Sequence, residues 1–109
     1  MFYSSVEIIN STNYSISGEI SYMTVFCNDV DFTVQPNDTW KSEKRLCPIV
    51  EILAFVITEN GVFLAKPFIS MGTMHDSFEI VQNGDCNFRV IKMKRVKEKA
   101  TTQLLQATI

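Results

Sequence analysis

The stretch "YSISGEISYMTVF", residues 14–26, indicates the fold class most directly. Its apolar side chains fall on the even positions Tyr14, Ile16, Ile20, Tyr22 and Phe26. The odd positions before Met23 are polar: Ser15, Ser17, Glu19 and Ser21. Because successive side chains of a β-strand point to opposite faces, this alternation predicts a long, half-buried strand. Gly18 predicts a bulge or bend within that strand.

The same alternation recurs on both sides of this stretch. "SVEIIN" (5–10) precedes it, and the turn-forming "NSTN" (10–13) joins the two as a predicted hairpin. Further strand-like segments are "VDFTVQ" (30–35), "VFLA" (62–65), "SFEIVQ" (77–82) and "CNFRVIKM" (86–93), the last two forming a hairpin. Seven or eight short strands with regular turn signals predict an all-β protein: an antiparallel β-sandwich or a jelly-roll-like barrel.

The most apolar segment is "PIVEILAFVIT" (48–58), in which both alternating sets of side chains are apolar. This pattern predicts a central strand buried on both faces, followed by a turn at Asn60-Gly61. Replacement of Phe55 by alanine in such a strand is expected to cost about 3–5 kcal/mol. Glu51 is the exception in the segment. It is interpreted either as a carboxylate lining a ligand pocket or as a solvent-facing or salt-bridged group.

The length of 109 residues predicts one domain, because separate cores usually need about 100–150 residues each. Hydrophobic residues make up 46% and charged residues 20%, which is enough apolar material for a packed core. We place the β-sandwich domain at residues 1–95 and a basic C-terminal tail or short helix at 96–109. Residues 92–109 carry five basic groups and one acidic group (+4), whereas residues 1–91 carry five and eleven (−6). The tail is expected to be disordered and dispensable for folding.

The cysteines and the N-terminus bear on the cellular location. Cys27, Cys47 and Cys86 are odd in number and widely spaced, so we expect free thiols in a reducing compartment, with a Cys27–Cys47 or Cys47–Cys86 bridge as the alternative. No apolar run is long enough to span a bilayer, and no secretory signal pattern begins the chain. The prediction is a soluble, cytoplasmic protein, or a secreted mature form.

His75, the chain's one histidine, is followed directly by Asp76 and Ser77. A catalytic triad needs these three side chains to converge, but consecutive residues point in divergent directions. No GxSxG elbow, CxxC pair, Cys/His zinc set or glycine-rich phosphate loop occurs. The sequence therefore predicts no enzyme, no metal site and no cofactor.

These observations favour a non-enzymatic binding or assembly module that self-associates. Candidate ligand-binding residues are Trp40, Glu51, His75 and Asp76. One alternative is a membrane-active, lipid-binding sandwich that uses Tyr14, Tyr22, Trp40 or the C-terminal segment, and another is a small hydrolase built on His75. A second copy, a protein or carbohydrate ligand and a membrane surface remain as partner classes. Nucleic acid is disfavoured, because the basic tail has no interleaved aromatic residues.

Overall fold

A computed structural model of the chain describes residues 5–43 and 46–93. This part contains nine strands: β1 (Glu7–Asn10), β2 (Ser15–Tyr22), β3 (Val30–Val34), β4 (Thr39–Lys41), β5 (Ile49–Thr58), β6 (Gly61–Leu64), β7 (Phe68–Thr73), β8 (Ser77–Gln82) and β9 (Phe88–Lys92). One sheet has the order β4-β1-β8-β9, and the other has the order β3-β2-β5-β6 with β7 also paired to β5. The two sheets pack as a sandwich, which confirms the predicted all-β class.

Seven of the nine strands are those predicted, and β4 and β7 are additional. The strand β4 has three residues, of which only Trp40 is apolar, so it shows no readable alternation. In β7, Ser70 and Gly72 interrupt the apolar side chains, so this strand also shows no readable alternation. The strand pairs are antiparallel with one exception, since β1 and β8 run parallel with Ile8 opposite Phe78.

The turn predicted at "NSTN" exists, but the hairpin does not. The turn instead carries the chain from β1 in one sheet to β2 in the other. Fully buried Asn10 organises this crossing: its Nδ2 donates to the carbonyls of Tyr14 (2.7 Å), Val34 (3.3 Å) and Gln35 (3.1 Å). Its Oδ1 accepts from the backbone N–H of Thr12 at 2.9 Å. The amide thus ties together backbone groups of the β1–β2 turn and the end of β3.

The core lies between the inward faces of the two sheets. It is built mainly from β-branched and aromatic side chains, among them Ile16, Ile20, Ile52, Val56, Ile80 and Phe78. Gly18 faces this core opposite Phe32, and a Cβ at Gly18 would collide with the Phe32 ring. Pairing is continuous through Gly18, so the bulge predicted there is wrong. The register instead shifts between Ser21 and Tyr22.

β5 is central, as predicted: it pairs with β2 on one side and with β6 and β7 on the other. The prediction that both of its faces are buried is wrong. Ile52, Ala54 and Val56 are buried, but Phe55 is 41% exposed and Ile57 is 46% exposed. The outward face has no second layer over it in the described part of the chain. The loss of stability predicted for Phe55→Ala is therefore expected instead for truncation of inward-facing side chains.

The chain outside the core was predicted to be a tail or short helix. Residues 96–109 lie outside the described residues, so the tail or short helix stays a prediction. Within residues 5–43 and 46–93, no helix has the length and apolar character needed to cross a membrane.

Candidate functional site

The four predicted ligand-binding residues do not form one site. Trp40 is half-buried on β4, with its ring centroid 5.6 Å from that of Phe32. The half-buried His75 lies in the connection between β7 and β8, edge-on to Phe78 with the ring centroids 5.6 Å apart. Glu51 is on β5 in the opposite sheet, where it pairs with Ser21.

Asp76 and Ser77 are engaged in holding β1 against the start of β8. The Asp76 carbonyl accepts from the backbone N–H of Glu7 at 2.7 Å, and Ser77 Oγ lies 3.5 Å from Glu7 Oε2. The backbone N–H of His75 donates to Thr73 Oγ1 at 3.1 Å. These contacts shape a connection between strands. In the described residues, His, Cys, Asp and Glu side chains form no group of three that could hold a metal ion.

The largest feature that sequence reasoning missed is on the outward side of the five-stranded sheet. We call it the outer apolar face, and it consists of Leu53, Phe55, Ile57, Val62, Leu64 and Ile69. Cross-strand register makes the set continuous, since Phe55 lies opposite Leu64 and Ile57 opposite Val62. Directly opposite residues of an antiparallel pair share one face and contact each other.

The same outward surface is polar on its other half. β2 contributes Ser15, Ser17 and Glu19, while β3 contributes Asp31 and Thr33. A sheet with one face in water normally carries polar side chains across that whole face. The boundary between the polar and the apolar half of this surface therefore runs along β5. The outer apolar face lacks the polar side chains that a sheet face in water normally carries.

A second exposed apolar region lies at the end of the sandwich, in the turn between β2 and β3. Val25 and Phe26 are each 92% exposed there. The alternation predicted through Phe26 breaks at Met23, and this break is the signal that could have ended the predicted strand before the turn. Phe26 is thus solvent-facing and not inward as its even position predicted.

The turn is held firmly although its side chains are exposed. A disulfide joins Cys27 to Cys47, with the two Cα atoms 6.3 Å apart. The backbone N–H of Met23 donates to the Pro48 carbonyl at 2.9 Å, and that of Phe26 donates to Thr24 Oγ1 at 3.2 Å. The expectation of three free thiols is wrong for this pair, because the fold brings both cysteines to the same end. Cys86 is free, as expected, and it is exposed.

Beside this turn is a groove of about 480 Å³. Its apolar lining comes from Tyr22, Val30, Trp40 and Leu46, and Lys41 and Ser42 are among its polar residues. Of the four predicted ligand-binding residues, Trp40 lines this groove and the other three are not among its lining. The volume is within the range of small-molecule sites.

Comparison with known proteins supports the fold and goes no further. No family model matches the chain, and a search of curated proteins finds no match either. A solved structure described as "NMR structure of the protein from Eubacterium rectale" is similar, with a TM-score of 0.59 and 9% sequence identity. The similarity covers 86% of this chain and 91% of that one. At this identity the likeness concerns the sandwich architecture alone.

Proposed function

We propose that this protein is a non-enzymatic assembly module that self-associates through its outer apolar face. The observation that supports this is the outward face of β5, which is apolar at Leu53, Phe55 and Ile57 although the described residues cover only the inward face. Strands with that composition are characteristic of sheets buried on both sides. A layer from outside the described fold that covers the outward face of β5 accounts for its apolar composition.

A second copy of the chain is the occupant that best fits the size and shape of this face. Six neighbouring apolar side chains make a patch on the order of 500 Å², a size at which exposed apolar patches commonly mark interaction sites. A stable interface buries about 800 Å² on each partner. The apolar patch with part of its polar surroundings reaches that area. The face of a sheet can also stack on that of a symmetry mate, because the same surface is used on both sides of a twofold axis.

The polar half of the sheet supports a defined stacking arrangement in place of open-ended aggregation. Glu19 and Asp31 lie beside each other on β2 and β3. Superposing these acidic groups on their symmetry mates costs free energy, so two copies are expected to overlap on the β5–β6 half only. The outer apolar face of each copy then contacts that of one other copy, so the assembly is a dimer.

The disulfide bears on where such a module works. Disulfides persist mainly in oxidising compartments, so the Cys27–Cys47 bridge supports a secreted or otherwise oxidising location over the cytoplasm. The free, exposed Cys86 lies in the turn between β8 and β9, at a distance from the proposed interface in the topology. Self-association through the outer apolar face therefore needs no intermolecular disulfide.

Sedimentation velocity on the full chain tests this proposal. We expect the wild-type protein to sediment as a dimer at high micromolar concentration, and the double variant Val62→Lys/Leu64→Lys to sediment as a monomer. Two lysines at these exposed positions of β6 place charge within the proposed interface without touching the core.

The matched control is Thr33→Lys/Gln35→Lys. Thr33 and Gln35 are also exposed and two residues apart, but they lie at the polar edge of the same sheet. Thr33 is on β3, and Gln35 directly follows its last residue. This variant should remain dimeric. A monomeric wild-type protein, or a β6 variant that still dimerises, refutes the proposal.

A further inference from the structure

The groove beside the β2–β3 turn lies where both sheets have an open edge. In the described part of the chain, β3 is an edge strand of the five-stranded sheet and β4 is an edge strand of the four-stranded sheet. The groove takes Val30 from β3 and Trp40 from β4 into its lining. Phe32 of β3 contacts Trp40 from the other sheet, and both rings pack with the apolar core. The groove therefore opens between the two layers, next to the core that they enclose.

The walls of this groove are fixed by covalent and hydrogen-bond contacts. Cys27 belongs to the lining and is joined by the disulfide to Cys47, the neighbour of Leu46 in sequence. Thr24 Oγ1 lies 3.2 Å from Cys47 Sγ, and the Thr24 carbonyl accepts from the backbone N–H of Cys27 at 3.4 Å. A ligand that enters a site with fixed walls loses little of its binding free energy to ordering the protein.

The polar side chains on one side of the groove are engaged within the fold or stand in water. Ser42 Oγ accepts from the backbone N–H of Val6 at 2.8 Å and donates to the Glu43 carbonyl at 2.7 Å. Lys41 Nζ lies 3.2 Å from Glu7 Oε1, and the Lys41 side chain is 65% exposed. The Glu43 side chain is exposed as well. Neither charged residue of the described lining therefore offers a buried charge with which a charged ligand could pair.

We infer that this groove binds an uncharged, mainly apolar small molecule. Its volume of about 480 Å³ suits a ligand of that kind, and the contact area comes from apolar and aromatic side chains: Tyr22, Val30, Trp40 and Leu46. Removing their apolar surface from water, together with that of the ligand, drives the binding. Asn28, which is exposed at the rim, can hydrogen-bond to a polar end of the ligand. The inference uses no residue of the outer apolar face and does not depend on self-association.

Titration of the full chain with two dyes tests the inference. N-phenylnaphthylamine is uncharged and fluoresces more strongly in apolar surroundings, and anilinonaphthalene sulfonate has the same rings with an added anionic group. We expect saturable binding of the uncharged dye and weaker binding of the anionic one, because the sulfonate loses hydration without gaining a buried partner. Trp40 is the one tryptophan of the sequence, so its indole N–H gives a single NMR signal. That signal should shift along the same titration curve as the dye fluorescence.

Leu46→Asp places a carboxylate in the lining at a position that is 61% exposed, so the thermal melt should be unchanged while the uncharged dye binds roughly tenfold or more weakly. The matched control is Leu64→Asp, the same change at a 57% exposed position of the outer apolar face. It should bind the dye within about twofold of the wild-type protein even if it no longer dimerises, so failure of the two proposals can be told apart.

Three results would overturn the inference. One is a wild-type protein that does not bind the uncharged dye, as expected if another part of the chain fills the groove. The second is binding that Leu64→Asp abolishes and Leu46→Asp retains, which would place the dye on the outer apolar face. The third is equal affinity for the two dyes, which would contradict selection for an uncharged ligand.

Discussion

Replacing Phe78 by alanine is expected to lower the free energy of unfolding by about 3–5 kcal/mol. Phe78 is fully buried on β8, in the centre of the four-stranded sheet. Its ring centroid lies 4.8 Å from that of Phe68 and 5.6 Å from that of His75. Truncation removes both ring contacts and leaves a cavity that neighbours fixed in two sheets cannot fill.

This loss is measured by denaturant unfolding of Phe78→Ala in a protein that also carries Val62→Lys/Leu64→Lys. Those two lysines remove any contribution of self-association to the free energy of unfolding. Phe55→Ala is the control, since Phe55 has the same side chain but lies on the exposed face of β5. It is expected to cost about 1 kcal/mol or less in a monomer. Equal losses for the two variants would contradict the assignment of the inner and outer faces.

Removing the Cys27–Cys47 disulfide is expected to cost about 3 kcal/mol, the value for closing a loop of this length. The two cysteines are 20 residues apart in sequence, and the loop between them contains the whole of β3 and β4. For a domain near 100 residues this corresponds to a fall in Tm of about 10–20 °C. The change is measured as the thermal melt of Cys27→Ser/Cys47→Ser and of the wild-type protein in a thiol reductant.

Cys86→Ser is the control for this experiment. Its thiol is free and exposed, so the variant should melt with the wild-type protein and show the same response to reductant. A wild-type melt that reductant leaves unchanged would restore the sequence-based expectation of free thiols.

The strands were largely predictable because alternation is a local property. The even side chains of β2, Ile16 and Ile20, face the core as their spacing predicted. Pairing was not predictable from the same information. β1 is next to β2 in sequence, yet it pairs with β4 and β8, and the buried Asn10 that makes this crossing feasible looks in sequence like any turn residue.

The candidate surfaces were hidden from sequence reasoning for a related reason. An apolar residue at an outward position, such as Phe55, gives the same pattern whether its own chain, a second copy or water covers it. At the β2–β3 turn, Phe26 kept the even spacing of an inward residue, and the disulfide behind it joins positions whose proximity only the sheet pairing creates.

The claim that another copy covers the outer apolar face can be tested most directly by isotope-filtered NMR. A sample is prepared from equal amounts of methyl-labelled and unlabelled chains, so that only contacts between copies are detected. We predict intermolecular signals from the methyl groups of Ile57, Val62 and Leu64, which lie together on β5 and β6. A sample at high concentration that gives no intermolecular signals, or signals confined to the exposed side chains of Val25 and Leu46, would contradict the account.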